Sequence, residues 1–303
     1  MTRILIIIIS LVFLSSCNVN NKTNSGVNKD VVNDVVNDSD DGTTLKILNY
    51  NIRTDISLMT RNPDAWVQKI VDAIIKFNPD IVGLVEVEES IQGLDNIPQE
   101  IEKRLNEKNF KHYSRYEVRF NQVEYDGEFG MMIISKVPIK DYIGYRPQYL
   151  ENIKTKDKDL IQSFTYEKDD LKFRFFNYHP HPGSTAQEST NFLLEHLQDF
   201  TDSELKIISG DFNLPISSPY MSNLLRYYRN ACDESPDKSC EYTYDKELMT
   251  GKKGEKGKAI DHILISNNAP VKVEVVSVHC DHNANDNIPV SDHFPVYGIF
   301  KIK

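Results

Sequence analysis

Apolar positions along the chain follow two rhythms, and the switches between them mark out the elements. Leu45-Lys-Ile-Leu-Asn-Tyr50 is a short apolar-rich run ending at Asn51 and reads as a strand. Trp66, Ile70, Ile74 and Phe77 then recur at three- or four-residue intervals between Pro63 and Pro79, which predicts a helix packed on one face. Ile81-Val-Gly-Leu-Val85 reads as a buried strand whose C-terminal edge delivers Glu86. Strand, helix, strand is the opening unit of a layered α/β fold.

The same reading continues downstream. Pro98 to Lys108 and Gln187 to Phe200 are predicted helices, the second carrying Leu193, Leu197 and Phe200 on one face. Predicted strands are Tyr113 to Phe120, Phe129 to Ile134, Lys172 to Tyr178, Lys206 to Ser209, Ala259 to Ile265, Val271 to Val278 and Phe294 to Ile302. Several of these runs end in a polar or ionisable residue. Layered α/β proteins commonly assemble their sites at such C-terminal strand edges.

The first 17 residues, MTRILIIIISLVFLSSC, break both rhythms with one charge, Arg3, an apolar run from Ile4 to Leu14 and small residues before Cys17. The run is too short to span a bilayer comfortably and has the layout of an export signal. Leu14-Ser-Ser-Cys17 resembles a bacterial lipobox, which makes Cys17 the expected lipidation site and the expected location a bacterial membrane or cell surface. Residues 18–44 shift to Asn, Asp, Val and Ser, with too little apolar surface to offset chain entropy, and are expected to be a disordered tether. Residues 45–303 suit one domain with a sizeable core.

Composition narrows the partners. A net charge of −10 argues against sequence-blind capture of nucleic acid over a wide surface, although a local basic patch can still act. The nearest such patch is Lys252-Lys-Gly-Glu-Lys256-Gly-Lys258, which reads as a solvated loop. After Cys17 there remain Cys232, Cys240 and Cys280; the close pair could form a disulfide in an exported protein, but the sequence does not fix the pairing. None has zinc-site spacing, and the eight His include no HExxH-like pair.

Seven short clusters lie in order: Tyr50-Asn51-Ile52, Val85-Glu86-Val87, Ser135-Lys136-Val-Pro138, Asn177-Tyr178-His179, Gly210-Asp211-Phe212-Asn213, Ile260-Asp261-His262 and Ser291-Asp292-His293. An acid beside an imidazole before a strand needs an irregular turn if both side chains are to reach one site. Together the seven resemble the endonuclease/exonuclease/phosphatase family of metal-dependent phosphoesterases, over essentially all of residues 45–300. The resemblance implies a four-layered α/β/β/α sandwich with two packed, mostly antiparallel sheets. It also implies an enzyme that hydrolyses phosphodiesters by in-line water attack with Mg²⁺, or Mn²⁺ or Ca²⁺.

Phosphodiester cleavage needs a hard cation, a positioned water, donors on the non-bridging oxygens and a proton route, which these residue types can supply. By resemblance, Glu86 is the primary metal ligand, with the Asn51 amide oxygen beside it and Asp292 on the metal side. Asp211 orients or deprotonates the water, and Asn213, two residues on along an extended segment, donates to the phosphate. His293 contacts the phosphate with Asp261 orienting its ring, and His179 faces the leaving group as general acid. Lys136 and Arg53 are candidate phosphate contacts. His181 and His262 fall outside the matched positions and read as structural. Some nuclease members carry an acid where this chain has Arg53, which weakens an all-carboxylate metal site and fits the Glu-plus-Asn pattern of the phosphatase and sphingomyelinase branches.

The expected function is an extracytoplasmic nuclease or phosphodiesterase acting as a monomer. A sphingomyelinase-like or inositol-phosphatase-like hydrolase of lipid or small phosphoesters is the alternative. A non-catalytic binding module would be expected to lack at least one of Glu86, Asp211, Asn213, Asp261 or His293, and all are present.

Overall fold

The computed structural model describes residues 42–53, 62–90, 94–122, 127–145, 160–180, 185–201, 204–236, 240–245, 257–282 and 290–303. The export signal, Cys17, His181, Lys252, Lys253 and Lys256 lie outside the described residues, as does all but the end of the tether. The strand expected from Leu45 begins two residues earlier, because Thr43 and Thr44 pair with Ile302 and Lys301.

In chain order the elements are β1 (Thr43–Asn51), α1 (Pro63–Phe77), β2 (Ile81–Glu88), α2 (Ile97–Glu107), β3 (Tyr113–Gln122), β4 (Gly127–Ser135), β5 (Lys140–Tyr145) and β6 (Leu160–Lys168). There follow β7 (Leu171–His179), α3 (Ala186–Gln198), β8 (Lys206–Asp211), β9 (Tyr228–Asn230), the single-turn α4 (Ala231–Glu234), β10 (Asp261–Ser266), β11 (Val273–Cys280) and β12 (Val296–Ile302). The first six-stranded sheet has the order β11-β12-β1-β2-β4-β3 and the second β5-β6-β7-β8-β10-β9.

Each sheet is antiparallel except for one central parallel pair, β1 with β2 and β7 with β8. Parallel neighbours require a crossover, and α1 and α3 supply it. Asn62 starts α1 by accepting from Ala65 N at 3.1 Å, Pro63 fits the first turn, and Asn78 ends it in the left-handed region with its N–H on Ile74 O. Trp66, Ile70 and Ile74 of α1 and Ile101 and Leu105 of α2 bury against Leu48, Tyr50, Val82 and Leu84 on the outer face of the first sheet. Phe192, Leu193 and Leu197 of α3 cover Phe176, Tyr178 and Ile208 on the outer face of the second. Leu45, Ile47, Ile81, Phe164, Phe173, Phe175, Ile207 and Ile265 fill the space between the sheets. The layers are helix, sheet, sheet, helix.

The interior changes character one rung below the parallel-strand C-termini. Asn49 pairs in register with Gly83, and Asn177 with Ser209, so polar side chains replace the apolar filling at that level. Asn177 crosses between the sheets, its Nδ2 donating to Leu84 O at 3.1 Å and to Gln162 Oε1 at 3.1 Å, while Gln162 Nε2 donates to Met131 O at 3.1 Å. A Cβ at Gly83 would stand 2.7 Å from Asn177 Oδ1, so glycine is what lets the side chain through. The Cys232–Cys240 disulfide forms, with Cα atoms 6.3 Å apart, and Cys280 is a buried thiol outside it.

The Asn177 crossing predicts the cost of a methyl group. Gly83→Ala should lower stability by about 1–3 kcal/mol through overpacking, read as a drop in urea midpoint at constant m-value. A variant as stable as the parent would refute the role given to this contact.

Candidate active site

Asn51, Glu86, His179 and Asp211 reach one place because the two parallel pairs point their C-terminal ends the same way. β1 and β2 deliver Asn51 and Glu86, and β7 and β8 deliver His179 and Asp211. Strand alternation would put Glu86 with Val82 and Leu84, facing the helices. A bulge against β4, between Val85 and Val87, and a left-handed Glu86 (φ 57) prevent this. Val87 takes the helix-facing place, and the Glu86 carboxylate turns to the site. Such a backbone conformation costs on the order of 1–3 kcal/mol at a non-glycine residue and recurs at functional sites.

The Asn51 amide is the link between the sheets. Its Nδ2 donates to Glu86 Oε1 at 3.0 Å and to Asp211 Oδ2 at 3.0 Å, and lies 3.4 Å from His293 Nε2. Its Oδ1 accepts from Arg53 N at 3.0 Å. The oxygen is turned to the backbone, and Asn51 meets the two carboxylates as a donor.

His293 follows a turn in which its N–H donates to Ser291 Oγ at 3.0 Å, the irregularity expected before the strand. Its Nδ1 lies 2.8 Å from Asp261 Oδ2 and its Nε2 3.6 Å from Asp211 Oδ2. Thr243 holds Asp261 in turn, its Oγ1 donating to Oδ2 at 2.6 Å and accepting from the N–H of Ile260 and of Asp261. His179 Nε2 lies 3.4 Å from Glu86 Oε1 and 3.3 Å from Asn213 Nδ2. Asn213 does not sit on an extended segment. β8 ends at Asp211, and Asn213 turns back with φ 54, its N–H donating to Asp211 Oδ1 at 2.7 Å.

Arg53, half exposed, brings Nε to 3.3 Å from Glu86 Oε2. Arg53, Glu86, Asn213, Asp292 and His293 line a cleft of about 250 Å³ with Tyr244, Lys258 and Ile260. His262 turns away, its ring nitrogen 2.8 Å from Leu214 O, and is structural as expected. Lys136 stands away from this cleft. β4 runs antiparallel to β2, so the residue after Ser135 lies beside Ile81, at the opposite edge from Glu86. There its Nζ donates to Asn78 O at 2.9 Å.

Burial and crowded charge set the protonation. Burial, with the charge of Asp261, pushes Asp211 up to about 7. Burial opposes charging His293, but the carboxylates of Asp261 and Asp211 outweigh it and push the imidazolium up to about 10. Burial likewise raises Asp292, despite His293 beside it, and raises Glu88 to about 7 against the pull of Arg53. Asp292 and His293 line the cleft with Asp211 beside His293, and perturbed groups gathered in this way mark a functional site.

The donor set fits a hard divalent cation. Glu86, His179 and Asp211 each offer a ligand atom, all within 4.8 Å of one another, as do Asp211, Asp261 and His293. Each group joins two carboxylate oxygens to one imidazole nitrogen, a donor set suited to a divalent cation.

These features define a metal-dependent phosphoester hydrolase. Residues 48–293 match the Endonuclease/Exonuclease/phosphatase family, and the chain belongs to it. No curated protein matches by sequence. A family protein from Leptotrichia buccalis superposes with a TM-score of 0.68 at 19% identity, covering 84% of this chain and 98% of that one. TDP2 from D. rerio, complexed with single-strand DNA product, gives 0.61 at 17% identity over 85% and 99%. A family protein from Bacteroides thetaiotaomicron gives 0.63 at 17% over 87% and 99%. At these identities the likeness is one of fold.

Asp211 and His293 both hold protons more tightly in the folded chain than in the unfolded one. The contribution of Asp211 to stability is therefore full below an unfolded value of about 3.9 and is lost as pH rises through about 7. That of His293 is full below about 6.5 and is lost through about 10. Urea titrations in chelator should show the stability of the parent, relative to Asp211→Asn, falling between about pH 4 and pH 8. A constant or rising difference would contradict the assignment.

Proposed function

We propose that this protein is a magnesium-dependent phosphodiesterase that cleaves by in-line attack of water and acts outside the cytoplasm on nucleic-acid strands. The observation that carries the reading is the meeting of Asp211, His293 and Asn213 around one acid-lined cleft, with Asp261 fixing the imidazole. Glu86 and Asp292 are the residues to hold the cation, Glu86 directly. When bound, the ion would supply positive charge against the phosphate oxygens.

The remaining chemistry belongs to the chain itself. Asp211, pushed up to about 7, is poised near neutral pH to take a proton from the attacking water. His293, kept cationic by Asp261, donates from Nε2 to a non-bridging oxygen, and the Asn213 amide donates to the same phosphate. His179, at the other side of Asp211, passes a proton to the departing oxygen. Arg53 offers a guanidinium at the rim. The D. rerio protein of the same fold, held with a single-strand DNA product, supports a nucleic-acid strand as substrate. The N-terminal apolar run, followed by Ser15, Ser16 and Cys17, supports export with lipid anchoring.

Magnesium-dependent hydrolysis of plasmid DNA, RNA, sphingomyelin and an inositol phosphate panel tests the reading. DNA or RNA should be cleaved, and Glu86→Gln and His293→Ala should each lower kcat/KM by about 10²–10³; a variant at the parent's rate sinks the mechanism, and preference for sphingomyelin or inositol phosphates overturns the substrate. Cys17→Ala should move the protein from the membrane pellet to the soluble fraction. Unchanged fractionation would rule out the anchor.

A further inference from the structure

One wall of the cleft is built from residues that the chemistry above does not use. Tyr244 forms a bridge with Lys258 on one side and with His293 on the other, both antiparallel. Lys258 and Tyr244 exchange both backbone hydrogen bonds at 3.0 Å, and Thr243 N also donates to Lys258 O at 2.9 Å. Residues directly opposite on paired strands send their side chains to the same face, with Cβ atoms about 4.5–5.5 Å apart. Lys258, Tyr244 and His293 therefore stand in a row, and all three line the cleft. The Tyr244 ring lies 4.8 Å from that of His293, tilted by 51°.

Lys258 is fixed in this row and is not part of a loose basic loop. A Cβ on Gly257 would come within 1.9 Å of Tyr244 O, so only glycine lets the two segments lie this close. The lysine is exposed and, among the described residues, has no ion-pair partner, whereas the Arg53 charge is already committed to Glu86. A positive charge two places along from the phosphate-binding imidazole, on a side chain anchored at its backbone, suits a second anion.

We infer that Tyr244 and Lys258 form a specificity subsite that takes the anionic group next to the scissile phosphate, with the tyrosine ring under the connecting sugar or base. The substrate class is thereby a phosphodiester with a flanking phosphate, as in a nucleotide strand. This rests on the phosphodiesterase reading and narrows it. A quaternary ammonium headgroup could stack on a tyrosine alone, but the Lys258 charge on the same face repels it. Contacts to neighbouring phosphates position a strand without reading its sequence.

The test uses the full-length magnesium-loaded protein and thymidine dinucleotides with a 5′-phosphate, a 3′-phosphate or neither. One phosphorylated isomer should be preferred over the bare dinucleotide by about tenfold in kcat/KM, the scale of one charged contact. Lys258→Ala should erase that preference through KM, Lys258→Arg should keep it, and Tyr244→Ala should raise KM for all three. Equal rates on the three substrates, or a preference that survives Lys258→Ala, would overturn the subsite. Equilibrium binding of non-hydrolysable phosphorothioate analogues reads the subsite independently of turnover. If binding shows the Lys258-dependent preference and no hydrolysis occurs, the catalytic reading fails and the subsite stands. If hydrolysis occurs with no such preference, the reverse holds.

Discussion

The contact on which the site depends is the Asn51 amide held between Glu86 of one sheet and Asp211 of the other, 3.0 Å from each. Two buried carboxylates brought this close repel one another, and burial makes the charge of each costly. The amide answers both with one nitrogen, and Arg53 N–H fixes its orientation from behind. Such a contact is possible only because each sheet has a single parallel pair at its centre. In a purely antiparallel sheet, neighbouring strands end at opposite edges, and Asn51 and Glu86 would be a strand length apart.

This geometry explains what the sequence made legible. The strands ending at Asn51, Glu86, Asp211 and His179 were visible because apolar runs stop abruptly at polar residues, and the helices between them because Trp66, Ile70 and Ile74 keep a helical period. Asp261 and Asp292-His293 were legible through the resemblance. β5 and β6 were missed because runs such as Leu-Ile-Gln-Ser-Phe-Thr-Tyr-Glu mix polar residues into both faces, and their partners cannot be inferred locally. Lys136 was misplaced for a related reason. A short motif carries no strand direction, and an antiparallel β4 sends its end to the far edge.

Thr243 and Tyr244 left almost no trace, and Lys258 showed only as the end of a basic run that reads as a solvated loop. They lie outside regular strands, and their roles arise from bridges across long sequence separations, which composition does not encode. The left-handed Glu86 is similar. Nothing in Leu-Val-Glu-Val announces a bulge, yet without it the acid would face the helices. Asn213 shares a site with Asp211 through a turn that periodicity had read as extension.

The pairing of β1 with β12 has an architectural consequence. Thr43 lies beside Ile302, so the two ends of the folded body emerge together. From Thr43 the strand runs about 26 Å, at about 3.3 Å per residue, before it reaches Asn51 and the cleft. The base of the first sheet therefore carries both ends, and its opposite edge carries Asn51 and the cleft.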